Sequence, residues 1–236
     1  MTSQPDGPAS RTGSTGTGNT TRPGVFITFE GTEGGGKSTQ IQILSERLRG
    51  LNLTVRVLRE PGGTPIGEEI RHTLKHSEAN RAMTAETELL LMNASRAQLV
   101  REVIRPALAA GTVVLCDRFL DSTVAYQGYG RGLDPARVQG VIDLAVGSTL
   151  PDLTLLLDVP LEVSESRRLA RQTAGPQPVR DRLEEEDRAF FQRVQQGFHA
   201  LAAANPKRVR VISAVGTVEE VGARIWEEAR GLFGGS

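Results

Sequence analysis

One octapeptide limits what this chain can fold into more than any other feature. Gly31-Thr32-Glu33-Gly34-Gly35-Gly36-Lys37-Ser38 fits the pattern G-x-x-x-x-G-K-[ST]. It follows an apolar run, residues 25–30, that reads as a strand. It precedes residues 37–49, where Ile41, Leu44 and Leu48 share one helical face. A glycine loop between strand and helix has a specific physical use. Its glycines let successive backbone N–H groups turn inward around an anion, and the helix that follows adds its positive N-terminal end. Lys37 supplies a point charge to the outer phosphates of a nucleotide, and Ser38 a hydroxyl for Mg²⁺.

The rest of the chain supplies a scaffold for such a loop. Four more short runs rich in β-branched residues, at 54–59, 112–117, 153–158 and 209–213, alternate with helical stretches. Those stretches are expected at 84–109, 134–146, 161–171, 182–203 and 217–232. Near-continuous apolar character suits strands of a parallel sheet covered on both faces. The expected fold is therefore α/β: a doubly wound, five-stranded parallel sheet flanked by helices, of the P-loop NTPase type. In such folds ligands bind beyond the carboxyl ends of the strands. Residues 1–23 are rich in Gly, Ser, Thr and Pro with almost no large apolar side chains, and are expected to form a disordered tail. Residues 24–236 are expected to form one domain.

Composition narrows the partners. Lys plus Arg and Asp plus Glu each total 28, a formal balance of zero. A protein that coats nucleic acid or anionic membrane carries a net basic footprint instead. No run approaches the roughly 18 apolar residues of a membrane helix, and no charged-then-apolar signal opens the chain. The single cysteine, Cys116, lies in an apolar run and reads as buried core. The expected location is the cytoplasm.

The phosphate loop by itself leaves open switches, motors and small-molecule kinases. A GTPase should carry D-x-x-G after a later strand and N-K-x-D for guanine. Here the third strand ends Asp117-Arg118-Phe119-Leu120, and N-K-x-D is absent. Glu33 is unusual in a phosphate cradle. It reads either as a solvated loop residue or as a group that holds an arginine, a metal-bound water or the acceptor.

Two further motifs open at strand ends: Arg59-Glu60-Pro61-Gly62-Gly63-Thr64, and Asp117-Arg118-Phe119-Leu120-Asp121-Ser122-Thr123 followed by Ala125-Tyr126-Gln127-Gly128. With the phosphate loop, these resemble bacterial thymidylate kinases, from about residue 25 to the C-terminus. The resemblance implies ATP-dependent phosphorylation of dTMP to dTDP in dTTP biosynthesis, by in-line transfer. It implies ATP held by Gly31, Thr32, Glu33, Gly34, Gly35, Gly36, Lys37, Ser38 and Thr39, with Mg²⁺ on Ser38 and Asp117. Arg118 matches the arginine that contacts the acceptor phosphate. Glu60 and Pro61 belong to the acceptor side. Arg96 matches an arginine that reads thymine, four residues after an aromatic position that is Met92 here. Methionine there either covers a base by dispersion and sulfur contact or simply packs in the core. Ser122, Thr123 and Gln127 match pyrimidine-reading positions, and Tyr126 the residue beside the sugar. A homodimer is implied as well.

A mobile lid is expected at about 167–182. Arg167, Arg168 and Arg171 precede a break holding Gly175, Pro176 and Pro178, and Arg180-Asp181-Arg182 follow. Some relatives carry the catalytic arginine in the phosphate loop and others in the lid. With Glu33 in the loop, the role falls to the lid, to Arg171 first and Arg167 second. Lys37, Asp117 and Glu33 complete the expected catalytic set. No general base is needed, because a phosphate monoester with a second pKa of about 6 is largely a dianion at neutral pH. His72, His76 and His199 accordingly fit no motif. Two rival readings stay open from sequence: a kinase for another pyrimidine nucleotide, and a nucleotide-binding switch without a small-molecule acceptor.

Overall fold

A computed structural model describes residues 24–173, 182–183 and 185–234, apart from the side chains at 168, 169 and 171–173. The expected tail at 1–23 and the expected lid loop lie outside the described residues. In chain order the elements are β1 (Phe26–Glu30), α1 (Lys37–Gly50), β2 (Val55–Arg59), α2 (Pro65–Lys75) and α3 (Ala85–Leu99). There follow α4 (Arg105–Ala109), β3 (Val113–Asp117), α5 (Leu120–Thr123), α6 (Pro135–Val146) and β4 (Leu153–Asp158). α7 (Leu161–Thr173), α8 (Arg188–Ala204), β5 (Val209–Ser213) and α9 (Val218–Ala229) come next, and a 3₁₀ turn, Arg230–Phe233, follows α9.

The five described strands form one sheet in the order β2-β3-β1-β4-β5, with every pair parallel. Central β1 alternates its side chains between two cores. Phe26 packs with Leu99, Ile104, Val114, Cys116, Phe119 and Ile142 on one face. Ile27 and Phe29 pack with Ile41, Leu48, Leu115, Leu155 and Ile225 on the other. Helices cover both faces of the central strands, which is why β1, β3 and β4 read as near-continuous apolar runs, whereas the edge strands β2 and β5 are largely exposed and alternate with arginine. Because β1 has β3 on one side and β4 on the other, the chain direction of the crossovers reverses there. A crevice opens at the carboxyl ends of β1 and β3, and both strong motifs enter it.

Local chemistry sets the helix ends. Thr64 caps α2 by accepting from Gly67 N at 3.0 Å, with Pro65 in the first turn. This T-P start is legible in the sequence, yet a helix there was not expected. The expected helix at 84–109 is continuous but not uniform: a π-helical turn, Val100–Ile104, separates α3 from α4. Pro106 follows at once, and its missing N–H interrupts the regular ladder. The segment after Asp117, expected only as a motif, is helical. α5 runs into a π-helical turn, Val124–Gly130, which brings Thr123, Tyr126 and Gln127 to the crevice. The helix expected from residue 182 begins at Arg188 instead. Asp187 caps it, accepting from Phe190 N at 2.7 Å, and so stops it from extending toward Arg182.

Candidate active site

The phosphate loop leaves β1 at Gly31 and ends at the left-handed Gly36, φ 86°, which opens α1. Gly34 also has positive φ, and a Cβ there would lie 2.7 Å from the Ser164 carbonyl oxygen. The close approach of α7 therefore demands glycine at that position. Ser164 Oγ in turn donates to the Glu33 carbonyl, so α7 is tied to the loop. Lys37 is buried, and its Nζ donates to the carbonyls of Gly31 (3.2 Å) and Thr32 (3.0 Å). Burial first, and then the Arg118 cation, pull its ammonium down to about 8. An anion in the loop would favour its charged form.

Asp117 ends β3 beside the loop. Its Oδ2 accepts from Ser38 Oγ at 3.3 Å, while Oδ1 is buried with no hydrogen-bond partner. A buried carboxylate oxygen left without a donor, next to a hydroxyl at the start of α1, is the donor chemistry that a hard cation such as Mg²⁺ takes. The residues present fit that ion.

Arg118 connects the loop with the next pocket. It sits at φ 68°, an uncommon conformation for a residue with a side chain, and its N–H donates to Phe29 O at 2.9 Å. Its Nη1 donates to Gly31 O (3.0 Å) and Ser122 Oγ (3.1 Å), and its guanidinium lies 5.0 Å from the Tyr126 ring centre. Nη2 stands 3.9 Å from Glu33 Oε2. Beneath lies Glu30, fully buried, which accepts from Phe119 N (2.8 Å), Ser122 N (3.2 Å) and Ser122 Oγ (2.5 Å). Burial, and then the neighbouring Asp121, push the Glu30 carboxyl up to about 7. Glu30 was not singled out from sequence. An acidic residue closing an apolar strand was the available signal.

The cleft beyond Arg118 is lined by Glu60, Pro61, Met92, Arg96, Arg118, Ser122, Thr123, Tyr126 and Gln127. Every residue expected on the acceptor side is therefore a neighbour in space, although three separate segments contribute them. Glu33 also reaches this wall, as do Lys75, Leu183 and Phe191, which the sequence did not flag.

Two buried ionic groups support the wall, one of them, Arg96 with Glu60, forming part of it. Arg96 Nε and Nη2 bracket one oxygen of Glu60 at 2.8 and 2.7 Å. Its Nη1 donates to Asn93 Oδ1 (2.8 Å) and Thr123 Oγ1 (2.7 Å), and Nη2 to Phe119 O (2.9 Å). Every donor of the guanidinium is thus engaged by protein. Burial pushes the Glu60 carboxyl up against the opposing pull of Arg96. On the same face of α3, Glu88 is wholly buried and accepts from Gln127 Nε2 (2.7 Å), Arg131 Nη2 (2.8 Å) and Arg182. Glu88, Met92 and Arg96 recur at a spacing of four, one helical turn each, and that periodicity was the missed signal for Glu88.

Of the expected lid arginines, Arg167 lies against the loop, donating to the carbonyls of Gly34 and Ala214 at 3.3 Å each. The Arg171 side chain lies outside the described residues. Arg182, at the far end of the expected lid, is anchored to Glu88 and through its N–H to Lys75 O at 3.4 Å.

Comparison with known proteins bears on what the cleft does. Residues 29–225 match the family model described as thymidylate kinase. The chain is 49% identical over 201 residues to the thymidylate kinase of Syntrophotalea carbinolica, covering 85% of this chain and 93% of that one. It is 50% identical over 208 residues to the thymidylate kinase of Alcanivorax borkumensis, covering 87% and 97% respectively. The crystal structure of a thymidylate kinase from Ehrlichia chaffeensis superposes with a TM-score of 0.70 at 32% identity, covering 89% of this chain and 99% of that chain.

Proposed function

The chain belongs to the thymidylate kinase family, and we propose that its cleft holds dTMP with the phosphate toward Arg118 and the base toward Thr123 and Gln127. The reaction is phosphorylation of dTMP to dTDP. One observation carries the placement: Arg118 bonds the phosphate loop through Gly31 and the cleft through Ser122 at once. A donor phosphate in the loop and an acceptor phosphate at Arg118 would then be neighbours.

The proposed donor is ATP, with its outer phosphates on the Gly31–Thr39 backbone and Lys37. Ser38 and Asp117 would hold Mg²⁺, which supplies charge neutralisation on the donor phosphates. The protein's own contribution is alignment and charge. Lys37 and an arginine from the lid face the transferring group, and Arg118 holds the attacking dianion in its planar fork. Tyr126, held by Arg118 and by edge contacts to Phe190 and Phe198, would form a rigid wall beside the sugar. Arg96 supports the base side through Thr123. The enzyme is further proposed to be a cytoplasmic homodimer without nucleic-acid or membrane partners. Among the described residues, no helix is long and apolar enough to cross a membrane.

A coupled ADP-release assay across dTMP, dUMP, UMP and dCMP tests this reading. The expected result is turnover that depends on added nucleotide and is greatest with dTMP. Turnover indifferent to the acceptor would overturn it.

A further inference from the structure

Arg118 holds a backbone conformation that its side chain disfavours, and one buried carboxylate at the end of β1 keeps it there. This inference rests on the cleft being the acceptor site, with Arg118 at its phosphate end.

At φ 68° Arg118 lies in the left-handed region. A residue with a side chain stays there only where its surroundings over-determine it. Here two consecutive N–H groups are held by two consecutive residues of β1. Arg118 N donates to Phe29 O at 2.9 Å, and Phe119 N donates to Glu30 Oε1 at 2.8 Å. The first bond uses a backbone carbonyl, which any residue at position 29 would supply. The second needs a side-chain acceptor, so it depends on the identity of residue 30.

The same Glu30 oxygen accepts from Ser122 N at 3.2 Å. Phe119 is the cap residue of α5, Ser122 its third residue, and Phe119 has no polar side chain to cap the helix. Glu30 therefore makes, from a separate strand, both bonds that a capping box makes within one helix. Its other oxygen accepts from Ser122 Oγ at 2.5 Å. That hydroxyl accepts in turn from Arg118 Nη1 at 3.1 Å, and Nη1 also donates at 3.0 Å to the carbonyl of Gly31, the residue after Glu30. The contacts close a ring from Glu30 through Ser122, Arg118 and Gly31 back to Glu30. Asp121, the other carboxylate of this region, is engaged elsewhere: its two oxygens accept from Arg208 at 2.7 and 2.6 Å.

We propose that Glu30 is a positioning residue for phosphoryl transfer, which sets the place of the Arg118 guanidinium relative to the phosphate loop through hydrogen bonds to Phe119 and Ser122. Wholly buried, it has no surface to offer either nucleotide. It acts through Arg118, whose backbone and guanidinium it ties to the residue that opens the loop. A misplacement of about 1 Å between reacting groups costs about a hundredfold in rate. The role depends on acceptor oxygens and not on charge. Oε1 accepts from two N–H groups whether or not the carboxyl carries a proton on Oε2. Ser122 Oγ keeps a lone pair for Arg118 whether it donates to Glu30 or accepts from it.

The test is kcat/KM for dTMP in Glu30→Met, Glu30→Gln and Ser122→Ala, each made in the unaltered chain and in Arg118→Ala. The stoichiometry of ATP binding counts the folded protein in every sample. Met keeps the length of Glu and removes both acceptors. Gln keeps an oxygen for the two N–H groups and an amide for Ser122. Glu30→Met is expected to lower kcat/KM about a hundredfold, and Glu30→Gln less than about threefold. In the Arg118→Ala background, Glu30→Met is expected to cost less than about threefold more. Ser122→Ala leaves the two N–H bonds to Glu30 in place and is expected to cost about tenfold, again only where Arg118 is present. A Glu30 that served only to fold α5 would cost as much without Arg118 as with it, and that result overturns the proposal. So does an unchanged kcat/KM in Glu30→Met, or a Glu30→Gln protein as impaired as Glu30→Met. If Glu30→Met does not fold, Ser122→Ala carries the test, and an equal loss in both backgrounds overturns the proposal. Failure of the unaltered chain to phosphorylate dTMP is a different result, which would sink the acceptor-site reading itself.

Discussion

Glu33 Oε2 stands 3.9 Å from Arg118 Nη2, so a carboxylate of the phosphate loop faces the arginine of the neighbouring cleft. Of the roles open to Glu33 from sequence, holding an arginine has a geometric counterpart in this pair, and Glu33 also lines the acceptor cleft. The pair is long and partly exposed, at 30% and 19% side-chain exposure, so it contributes little to stability. Its effect is orientation. Gly31 O and Ser122 Oγ hold Nη1, Glu33 faces Nη2, and the Tyr126 ring lies 5.0 Å from the guanidinium carbon. An entering phosphate dianion would supply a stronger counter-charge than Glu33 does.

Replacing Arg118 should therefore act on the acceptor. Arg118→Ala is expected to raise the KM for dTMP about a hundredfold, equivalent to about 2.7 kcal/mol. ATP affinity should stay within about threefold. Arg118→Lys should recover part of the loss, since an ammonium lacks the planar fork. Steady-state kinetics paired with an ATP-binding isotherm decide the matter. A collapse of ATP affinity in the folded variant, with KM for dTMP preserved, would show the assignment to be wrong.

The lid arginines separate by kinetics. A cation delivered over the transferring group acts on the transition state more than on the ground state. Arg171→Ala is expected to lower kcat by two to four orders of magnitude, roughly 3–5 kcal/mol, with both substrate affinities changed much less. Arg167 donates to the Gly34 and Ala214 carbonyls, so Arg167→Ala should chiefly loosen the loop and weaken ATP binding. A crippled kcat in the Arg167 variant beside a silent Arg171 variant would reverse the two roles. Silence in both would end the lid mechanism.

Glu30 couples the site to pH. Its folded-state pKa, about 7, lies above the ordinary value of 4.5, with burial as the main cause. The unfolded chain thus releases this proton at lower pH than the folded one. The stability carried by the protonated carboxyl is complete below pH 4.5 and is lost as pH rises through 7. Glu30→Gln keeps a neutral group in place, so its stability should fall less than the unaltered chain's over that interval. Urea midpoints at a series of pH values would show the two curves converging as pH drops. Parallel curves would contradict the assignment.

The proposed dimer has a surface to test. Leu90 on α3, Leu144 on α6 and Leu150 just beyond it are exposed at 58%, 78% and 58%. α3 and α6 pack side by side, and Arg101, in the turn after α3, donates to the Leu144 and Ala145 carbonyls. Exposed leucines on adjoining helices suit a self-associating face. Light scattering at micromolar concentration should give about twice the chain mass of 25.4 kDa. Leu144→Glu should shift the mass toward the monomer. A monomeric unaltered chain would refute the dimer.

Much of the fold was legible along the chain. The β1–loop–α1 unit and all five strands follow from contiguous patterns, because apolar runs and glycine spacing report on neighbours in sequence. Helix ends were less legible. Asp187 rather than the charge-rich stretch before it decides where α8 starts, and Pro106 disturbs a helix whose apolar periodicity is unbroken. Such effects depend on single caps and single missing donors, which a periodic pattern averages away.

The site divides in the same way. Sequence by itself determined which side chains reach the cleft from the loop, from Glu60-Pro61 and from the segment after Asp117, since each motif holds its chemistry within a few residues. Tertiary structure alone decided what those side chains present. Glu30, Glu88 and Arg131 come from distant parts of the chain, yet they fix the hydroxyl of Ser122 and the amide of Gln127. Lys75, Leu183 and Phe191 complete the wall from elements that no motif marks. A buried polar group must find partners wherever the fold brings them, because water is absent to satisfy it. Its partner is therefore chosen by packing across the sheet and helices, and not by spacing along the chain.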